Sequence, residues 1–287
     1  MKKLNQVVVV SGKVISGNKL GRQLGFPTAN LKLVKTPKIK PGVYLAVCQQ
    51  KKNSHLGLAY FGLKQNFEVF IFNFNQQIYN LNLKVKLTHF LRSPKKITTN
   101  SQLKKLIQND LTKLDNFVIL VNRQDQPLGV MEKKQAHLGS AHLHRAISVQ
   151  LFNSKKKLLI QQRSKSKMLF PLIWANTVCT DVRPYESYET AANRRLKEEF
   201  GLKANLKPLT KFFYQAFSGK AGCEKEIDQL FIGFSDQKPK PNKKEINAWQ
   251  YTSLKELKQD INTNPDQFAL WLKVILKKLA SSDIFKS

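Results

Sequence analysis

The hydrophobic pattern of this 287-residue chain changes near residue 117, and this change constrains the fold more than any other feature. Before it, short runs of β-branched and aromatic residues alternate with glycine and proline breaks, which is typical of a compact antiparallel sheet. After it, strand-like runs alternate with helical periodicity, which is typical of a layered α/β domain. The chain is also long for a single core. We therefore predict two domains, a small antiparallel β-barrel over residues 1–116 and a layered α/β domain over residues 117–287.

Local patterns predict the main elements of each part. The strands that we expect in the first part lie at Gln6–Val10, Gly42–Val47 and Phe67–Phe74. A helix follows from Ser101 to Leu114, with Asn100 or Ser101 as its N-cap. In the second part, the helices that we expect lie at Ser187–Phe200, stopped by Gly201, and at Gln267–Ala280.

Composition limits the partners of the chain. Its net charge of +30 permits binding to polyanions, including nucleic acids and phosphorylated small molecules. The sequence has no zinc-finger spacing, RNP aromatic motif or GXXG loop, so we expect no nucleic-acid partner. No apolar run approaches the roughly 18 residues of a membrane span, so we expect no membrane partner. The three cysteines, Cys48, Cys179 and Cys223, lie far apart, which favours a reducing, cytoplasmic setting.

The most specific pattern of the first part is a pair of glycine-rich segments, Gly12–Gly17 and Gly21–Asn30. Clustered glycines allow the backbone to approach a phosphate group closely. Thr28 offers a hydroxyl oxygen and Asn30 a carbonyl oxygen, and both are hard ligands that suit magnesium.

This segment, with its sequence GRQLGFPTAN, resembles the riboflavin kinase family. The resemblance implies that Gly21 and Arg22 bind ATP, that Thr28 and Asn30 hold Mg²⁺, and that riboflavin is the second substrate. It also implies that Glu68 accepts the proton of the attacking riboflavin hydroxyl. The stretch before this glutamate is shorter than in the family.

The second part carries a longer series of motifs in a fixed order. They are Glu132–Lys133, Ala136–His137, His144–Ser148, Leu158–Lys167, Phe170–Pro171, Trp174–Cys179, Ala191–Gly201, Tyr214–Ala216, Glu224–Glu226 and Trp271. Together they resemble the type I isopentenyl-diphosphate isomerase family, whose members have a Nudix-type fold. The resemblance implies conversion of isopentenyl diphosphate to dimethylallyl diphosphate, which requires one proton donor, one proton acceptor and an aromatic face for a developing cation.

The resemblance assigns the proton transfers to Cys179 and Glu226. It places Tyr214 in support of Glu226, and Trp271 against the developing cation. It further implies that the cationic side chains of Lys133, Arg163 and Lys167 neutralise the diphosphate.

Two metal sites also follow from the resemblance. The residues implied in the first, which would bind Mn²⁺ or Zn²⁺, are His137, His144, Glu224 and Glu226. Asp181 stands where the family has a third histidine ligand. Because a carboxylate is a harder ligand than an imidazole, this change favours Mg²⁺ or Mn²⁺. Glu199 would bind the Mg²⁺ that holds the diphosphate.

Two alternatives remain open at the level of sequence. A Nudix diphosphate hydrolase would use a cluster of glutamates to hold metals around an attacking water. The chain matches part of that pattern, but Arg195 occupies the position of one of its metal-binding glutamates, which favours the isomerase. The second alternative is a degenerate fusion whose positive charge binds polyanions without turnover.

Overall fold

The computed structural model describes residues 1–17 and 20–281, which form two compact units. The first unit comprises Met1–Glu132 together with Arg183–Glu186. The second comprises Lys133–Val182 and the chain from Ser187 onward. None of the helices in the described residues has the length and apolar character that a membrane span requires.

The first unit is a closed antiparallel barrel, as predicted. Its strands are β1 (Lys2–Ile15), β2 (Thr28–Leu33), β3 (Gly42–Gln50), β4 (Asn53–Phe61), β5 (Phe67–Ile71) and β6 (Asn82–Arg92), in the order β1-β2-β5-β4-β3-β6. The short helix α1 (Leu20–Gln23) lies between β1 and β2. Closure pairs every strand on both sides and leaves no edge that another chain could extend. Strand β1 is longer, and β5 shorter, than the sequence pattern suggested.

Helix α2 (Asn100–Thr112) follows the barrel, and its predicted N-cap was wrong. The cap is Thr99, whose backbone is extended and whose hydroxyl accepts a hydrogen bond from the Gln102 amide. Asp110 on this helix is buried and forms a two-pronged ion pair with Arg92 at the end of β6. The buried ion pair therefore ties the helix to the barrel.

A hairpin of β7 (Phe117–Val121) and β8 (Pro127–Glu132) also belongs to the first unit. Our boundary between residues 116 and 117 assigned this hairpin to the second domain and stays a prediction. The compact unit extends further because the hairpin contacts the barrel. The Gln126 side chain donates to the carbonyl of Lys52, and the Phe117 ring lies 6.2 Å from that of His89.

The second unit is a mixed sheet with helices, as expected for a Nudix-type layered domain. Its strands are β9 (His144–Phe152), β10 (Leu158–Arg163), β11 (Trp174–Ala175), β12 (Val178–Asp181), β13 (Lys207–Phe217), β14 (Cys223–Phe234) and β15 (Ile246–Thr252). Its helices are α3 (Lys133–Ala136), α4 (Tyr188–Phe200), α5 (Leu254–Thr263) and α6 (Leu270–Ala280). Strand β14 runs parallel to β9 and antiparallel to β13, while β12 pairs antiparallel with β9.

The predicted helix from Ser187 was nearly right. Ser187 is the N-cap of α4, and Gly201 ends the helix in the left-handed conformation, at φ +66°. Helix α6 begins at Leu270 rather than Gln267, because Pro265–Gln267 form a separate 3₁₀ turn. Helix α5 was not predicted.

Strand pairing determines which side chains meet at the site. The parallel pairing of β14 with β9 places Glu226 opposite His144. The antiparallel pairing of β13 with β14 places Tyr214 opposite Glu226. Strand β12 contributes Cys179 and Asp181 from the other side of β9. Four neighbouring strands thus bring together residues that are far apart in the sequence.

Candidate active sites

Main-chain carbonyl groups orient the two histidines of the second unit. Nδ1 of His137 lies 2.7 Å from the carbonyl oxygen of Lys133, and Nδ1 of His144 lies 2.6 Å from that of His142. A carbonyl oxygen can only accept a hydrogen bond, so both Nδ1 atoms donate. In their neutral form the imidazoles therefore present the lone pairs of their Nε2 atoms to the site, which is how histidine ligands are prepared for a metal.

These Nε2 atoms converge with carboxylate oxygens. His137 Nε2 lies 2.9 Å from Glu224 Oε2, and His144 Nε2 lies 3.6 Å from Glu226 Oε1. One potential ligand atom from each of the four residues falls within 4.8 Å of all the others. Within the described chain, neither Glu224 Oε2 nor His144 Nε2 has a hydrogen-bond partner, although both atoms are buried. Since converging lone pairs repel unless a proton or cation lies between them, this donor set fits a divalent transition metal.

Asp181 adjoins this cluster and also neutralises a cation. Its Oδ1 lies 3.0 Å from His144 Nε2 and 3.7 Å from His137 Nε2, while its Oδ2 lies 2.6 Å from Lys133 Nζ. Burial opposes ionisation of this carboxyl, but the charge of Lys133 and the close His144 imidazole hold its pKa well below its usual range. Asp181 is therefore ionised at neutral pH and lies beside both Nε2 atoms, and its role as a metal ligand stays a prediction.

The two predicted proton-transfer groups line one small cavity of about 130 Å³. Burial raises the pKa of the Cys179 thiol to about 12, so it stays protonated at neutral pH. Burial and the charge of Glu224 raise the pKa of Glu226 to about 7. The Tyr214 hydroxyl donates a hydrogen bond of 2.5 Å to Glu226 Oε2. The cavity thus contains a thiol and a carboxyl group that can each hold or release a proton.

Trp271 forms an aromatic wall of the cavity. Its indole nitrogen donates to the side chain of Asn176 at 2.9 Å, which fixes the ring in its buried position. The Tyr214 ring lies 5.9 Å from it, and the Phe170 ring packs edge-on at 5.2 Å. Aromatic faces of this kind stabilise a nearby positive charge. Phe170 belongs to one of the motifs found in the sequence, but the sequence analysis gave it no role.

The predicted cationic residues reach the same cavity with different partners. Arg163 directs two of its donors to the carbonyl oxygens of Leu169 and Phe170, and its Nη1 lies 3.7 Å from Cys179 Sγ. It therefore supports the loop beside the cavity as well as contributing charge. Lys167 pairs with Glu245. Our sequence analysis gave no binding role to Arg195, which also lines the cavity.

Glu199 is placed differently from the other predicted metal ligands. It is buried, with its Oε1 2.5 Å from Arg195 Nε, and its Oε2 accepts a hydrogen bond of 2.5 Å from Gln161. Both oxygens already have partners, so this arrangement does not fit an additional Mg²⁺. The role of Glu199 in Mg²⁺ binding stays a prediction.

In the first unit, the predicted kinase residues border a cavity of about 500 Å³. Thr28 donates to Glu68 at 3.3 Å, and strand pairing sets Asn30 opposite Glu68. The oxygen atoms of Thr28 and Asn30 are hard ligands that fit Mg²⁺, and Glu68, the predicted proton acceptor, lies beside them. A Cβ atom on Gly21 would come within 2.4 Å of the Phe26 carbonyl oxygen, which explains why glycine is needed there.

Arg22 faces a neighbouring cavity of about 380 Å³, which Thr28 also borders. Thr28 therefore lies between the space next to Arg22 and the space next to Glu68. A residue between two cavities is well placed for a transfer between two substrates, and a cation beside one of them suits a polyphosphate.

Comparison with family models agrees with the two units. The model described as "Riboflavin kinase" matches residues 4–118. The model described as "NUDIX domain" matches residues 142–272. The chain therefore combines a riboflavin kinase domain with a Nudix domain.

Curated relatives match the C-terminal part of the chain. The Isopentenyl-diphosphate Delta-isomerase of Pectobacterium atrosepticum is 37% identical over 56% of this chain and 90% of its own length. The protein of the same name from Serratia proteamaculans is 35% identical over 60% of this chain and 95% of its own. A solved structure from Deinococcus radiodurans, 23% identical, aligns over 56% of this chain and 98% of its own with a TM-score of 0.48.

The buried cluster predicts an unusual pH dependence for the metal-free protein. Burial opposes protonation of His137, but the close Glu224 carboxylate and the charge of Asp181 raise its pKa from 6.5 to about 8. The stability that this protonation contributes is complete below pH 6.5 and is lost as the pH rises through about 8. The raised pKa of Glu226, about 7, acts in the same direction. In EDTA, we expect the thermal midpoint of the second unit to fall over this range.

Added Mn²⁺ should reverse this trend, because it binds the deprotonated ligands. His137→Gln should flatten the profile in EDTA, while the same change at the exposed His142 should leave it intact. A midpoint that rises with pH in EDTA would contradict the proposed charge arrangement.

Proposed function

Because this chain belongs to the isopentenyl-diphosphate Delta-isomerase family through its C-terminal part, we propose that its second unit converts isopentenyl diphosphate to dimethylallyl diphosphate. We propose further that its first unit, a riboflavin kinase domain, transfers a phosphoryl group from ATP to riboflavin.

The observation that carries the isomerase proposal is the enclosure of Cys179, Glu226 and Trp271 around one cavity. The reaction adds a proton to the terminal methylene carbon and removes one from the internal carbon next to the double bond. The double bond moves by one position, and no atoms are gained or lost except the exchanged protons. A thiol and a carboxyl group supply the two exchanges, and the indole face stabilises the positive charge that develops between them.

Each neighbouring side chain has a defined task in this proposal. Tyr214 holds the Glu226 carboxyl by its short hydrogen bond, which keeps one oxygen oriented. Arg163, Lys167 and Lys133 line the same cavity and supply positive charge for the diphosphate. The cavity is small, so a bound five-carbon group leaves little space for water that could trap the carbocation.

His137, His144, Glu224, Glu226 and Asp181 are the residues that would hold the divalent metal. When bound, it supplies positive charge that offsets the buried carboxylates and orients Glu226. Asp181 also forms an ion pair with Lys133, whose Nζ lies 2.6 Å from Asp181 Oδ2. We propose Mn²⁺ or Mg²⁺ rather than Zn²⁺, since three carboxylates and two imidazoles form a harder set than three imidazoles and two carboxylates.

Arg195 argues against hydrolysis of the diphosphate as the main activity. Its guanidinium lies 2.5 Å from Glu199 and 2.6 Å from Glu245, where a hydrolase needs a further metal-binding carboxylate. A cation at this position repels the metal ions that would activate an attacking water.

Variants of the two proton-transfer groups test the isomerase. With isopentenyl diphosphate, Mg²⁺ and Mn²⁺ in deuterated water, the wild-type protein should form deuterium-labelled dimethylallyl diphosphate, observed by NMR. Cys179→Ala and Glu226→Gln should each lower turnover by at least about 1000-fold, because each removes one of two required proton exchanges. Released phosphate without the allylic product would instead favour a hydrolase.

Two comparisons separate chemistry from folding. Cys48→Ala changes a buried cysteine of the first unit and should leave the isomerase unaffected. Circular dichroism should show that Cys179→Ala and Glu226→Gln remain folded. Near-normal turnover in folded Cys179→Ala would exclude this residue from the mechanism.

Asp181→His tests the metal preference. The wild-type protein should gain more thermal stability from Mn²⁺ than from Zn²⁺, and the variant should reverse this order, because it adds an imidazole and removes a hard ligand. The measurement is the thermal midpoint at matched free metal concentrations, which does not depend on turnover. An unchanged order would show that Asp181 does not select the metal.

Glu68→Gln tests the kinase. The wild-type protein should form FMN from riboflavin, ATP and Mg²⁺, and the variant should lose about 100-fold or more of this rate, because the hydroxyl proton has no acceptor. The isomerase activity of the same sample provides the internal control and should be unchanged. No FMN from the wild-type protein at saturating riboflavin would refute the kinase proposal.

A further inference from the structure

Glu245 joins two cations at the edge of the isomerase cavity. A single carboxylate oxygen, Oε2, contacts both Lys167 Nζ and Arg195 Nη2, the second at 2.6 Å. Burial opposes its ionisation, but the hydrogen bond from Lys167 and the charge of Arg195 lower the pKa of Glu245 to about 2. Glu245 is therefore a permanent anion between two cationic side chains that line the cavity.

The backbone around Glu245 is fixed from several sides. Its carbonyl oxygen accepts a hydrogen bond from the Ser164 amide at 2.9 Å, three residues before Lys167. The amide of Asn242, at the start of the same turn, donates to the carbonyl of Glu199 at 2.7 Å. The Glu245 amide in turn donates to the Asn242 carbonyl at 2.9 Å. The carboxylate therefore projects from a turn that is anchored to both the Lys167 loop and helix α4.

The two cations differ in how much they depend on this carboxylate. Arg195 also lies close to Glu199, at 2.5 Å, and to Glu198, at 3.4 Å. For Lys167, a long flexible side chain, Glu245 is the partner that fixes its ammonium group beside the cavity. Ordering such a side chain costs conformational entropy. This cost weakens ligand binding unless the side chain is already ordered in the free protein.

We propose that Glu245 is a positioning residue for the diphosphate group: it holds Lys167 and Arg195 in one orientation so that both can donate to the phosphate oxygens. This inference rests on the proposed function only in taking the ligand of the cavity to be a diphosphate. Lys167 retains further ammonium donors after contacting Glu245, and these remain for the ligand.

Positioning and simple electrostatics predict opposite results. Removal of a negative charge makes the cavity more positive, so Coulomb attraction alone predicts tighter binding of an anion in Glu245→Gln. Loss of positioning predicts weaker binding, because Lys167 must be ordered by the ligand itself and Arg195 keeps only its contacts with Glu198 and Glu199. The direction of the change therefore distinguishes the two roles.

The test is titration calorimetry of the full chain with inorganic diphosphate and Mg²⁺. We expect the dissociation constant to rise about tenfold in Glu245→Gln, the size expected from ordering one long flexible side chain. In turnover assays with isopentenyl diphosphate, KM should rise by a similar factor while kcat stays within about twofold, since no proton-transfer group is altered. Unchanged or tighter binding would overturn the inference.

Two further variants make the result specific. Glu245→Asp keeps the charge but shortens the side chain, so it should also weaken binding, and wild-type affinity in this variant would overturn positioning. It also provides the test if Glu245→Gln does not fold. Glu198→Gln removes the same charge from the exposed side of Arg195, outside the cavity lining, and should leave the dissociation constant within about twofold.

The binding measurement also separates this inference from the proposed function. A wild-type protein that binds diphosphate but forms no dimethylallyl diphosphate would refute the isomerase, while the effect of Glu245→Gln could still support positioning. A wild-type protein that does not bind diphosphate at all would overturn the inference itself.

Discussion

The second unit depends on one buried arrangement, the convergence of imidazole and carboxylate lone pairs between β9 and β14. His137 and Glu224 approach to 2.9 Å although the ring of His137 already donates through its other nitrogen. Such a contact is repulsive in the absence of a proton or a metal ion. In the metal-free protein a proton fills this role, because the close Glu224 carboxylate and the charge of Asp181 raise the pKa of His137 to about 8. A metal ion must displace this proton in order to bind, which couples metal affinity to pH and to the stability of the fold.

The same arrangement explains why Glu226 can serve two purposes. One of its oxygens faces His144, at 3.6 Å, and the other accepts from Tyr214, at 2.5 Å. A carboxyl group held from both sides cannot rotate freely, so its proton-transfer geometry is set before the substrate binds. Its raised pKa has the same origin, because burial and the charge of Glu224 disfavour the anion. The orientation of the Glu226 carboxyl group and its raised pKa therefore both result from its contacts inside the buried cluster.

The sequence predicted the fold class and most of the side chains around the isomerase cavity, but only a few of those around the kinase cavity, for reasons that differ between elements. Gly201 ends helix α4 because only a residue without a side chain adopts a φ of +66° easily, and this signal is local. Helix α5 was missed although Ser253 and Glu256 form a capping box, a signal that is visible in the sequence. The role of Glu245 could not be predicted, because it depends on a turn that brings it to Lys167, 78 residues away along the chain. The contact of Glu199 with Gln161 was likewise hidden, since Gln161 lies on strand β10, 38 residues away along the chain, whereas Arg195 is four residues away on the same helix.

The distribution of acidic residues shows how the charge of the chain relates to its chemistry. The sequence has 19 Asp and Glu residues against 49 Lys and Arg, so cationic side chains greatly outnumber the carboxylates that could pair with them. Yet Asp181, Glu199 and Glu245 are paired with Lys133, Arg195 and Lys167, which all line the isomerase cavity. Ion pairs on the surface contribute little to stability. A carboxylate that pairs with a partly buried cation has a larger effect, because it fixes the orientation of that cation. Excess positive charge raises the local concentration of anions, and the role that we propose for the paired charges is to orient such an anion within the cavity.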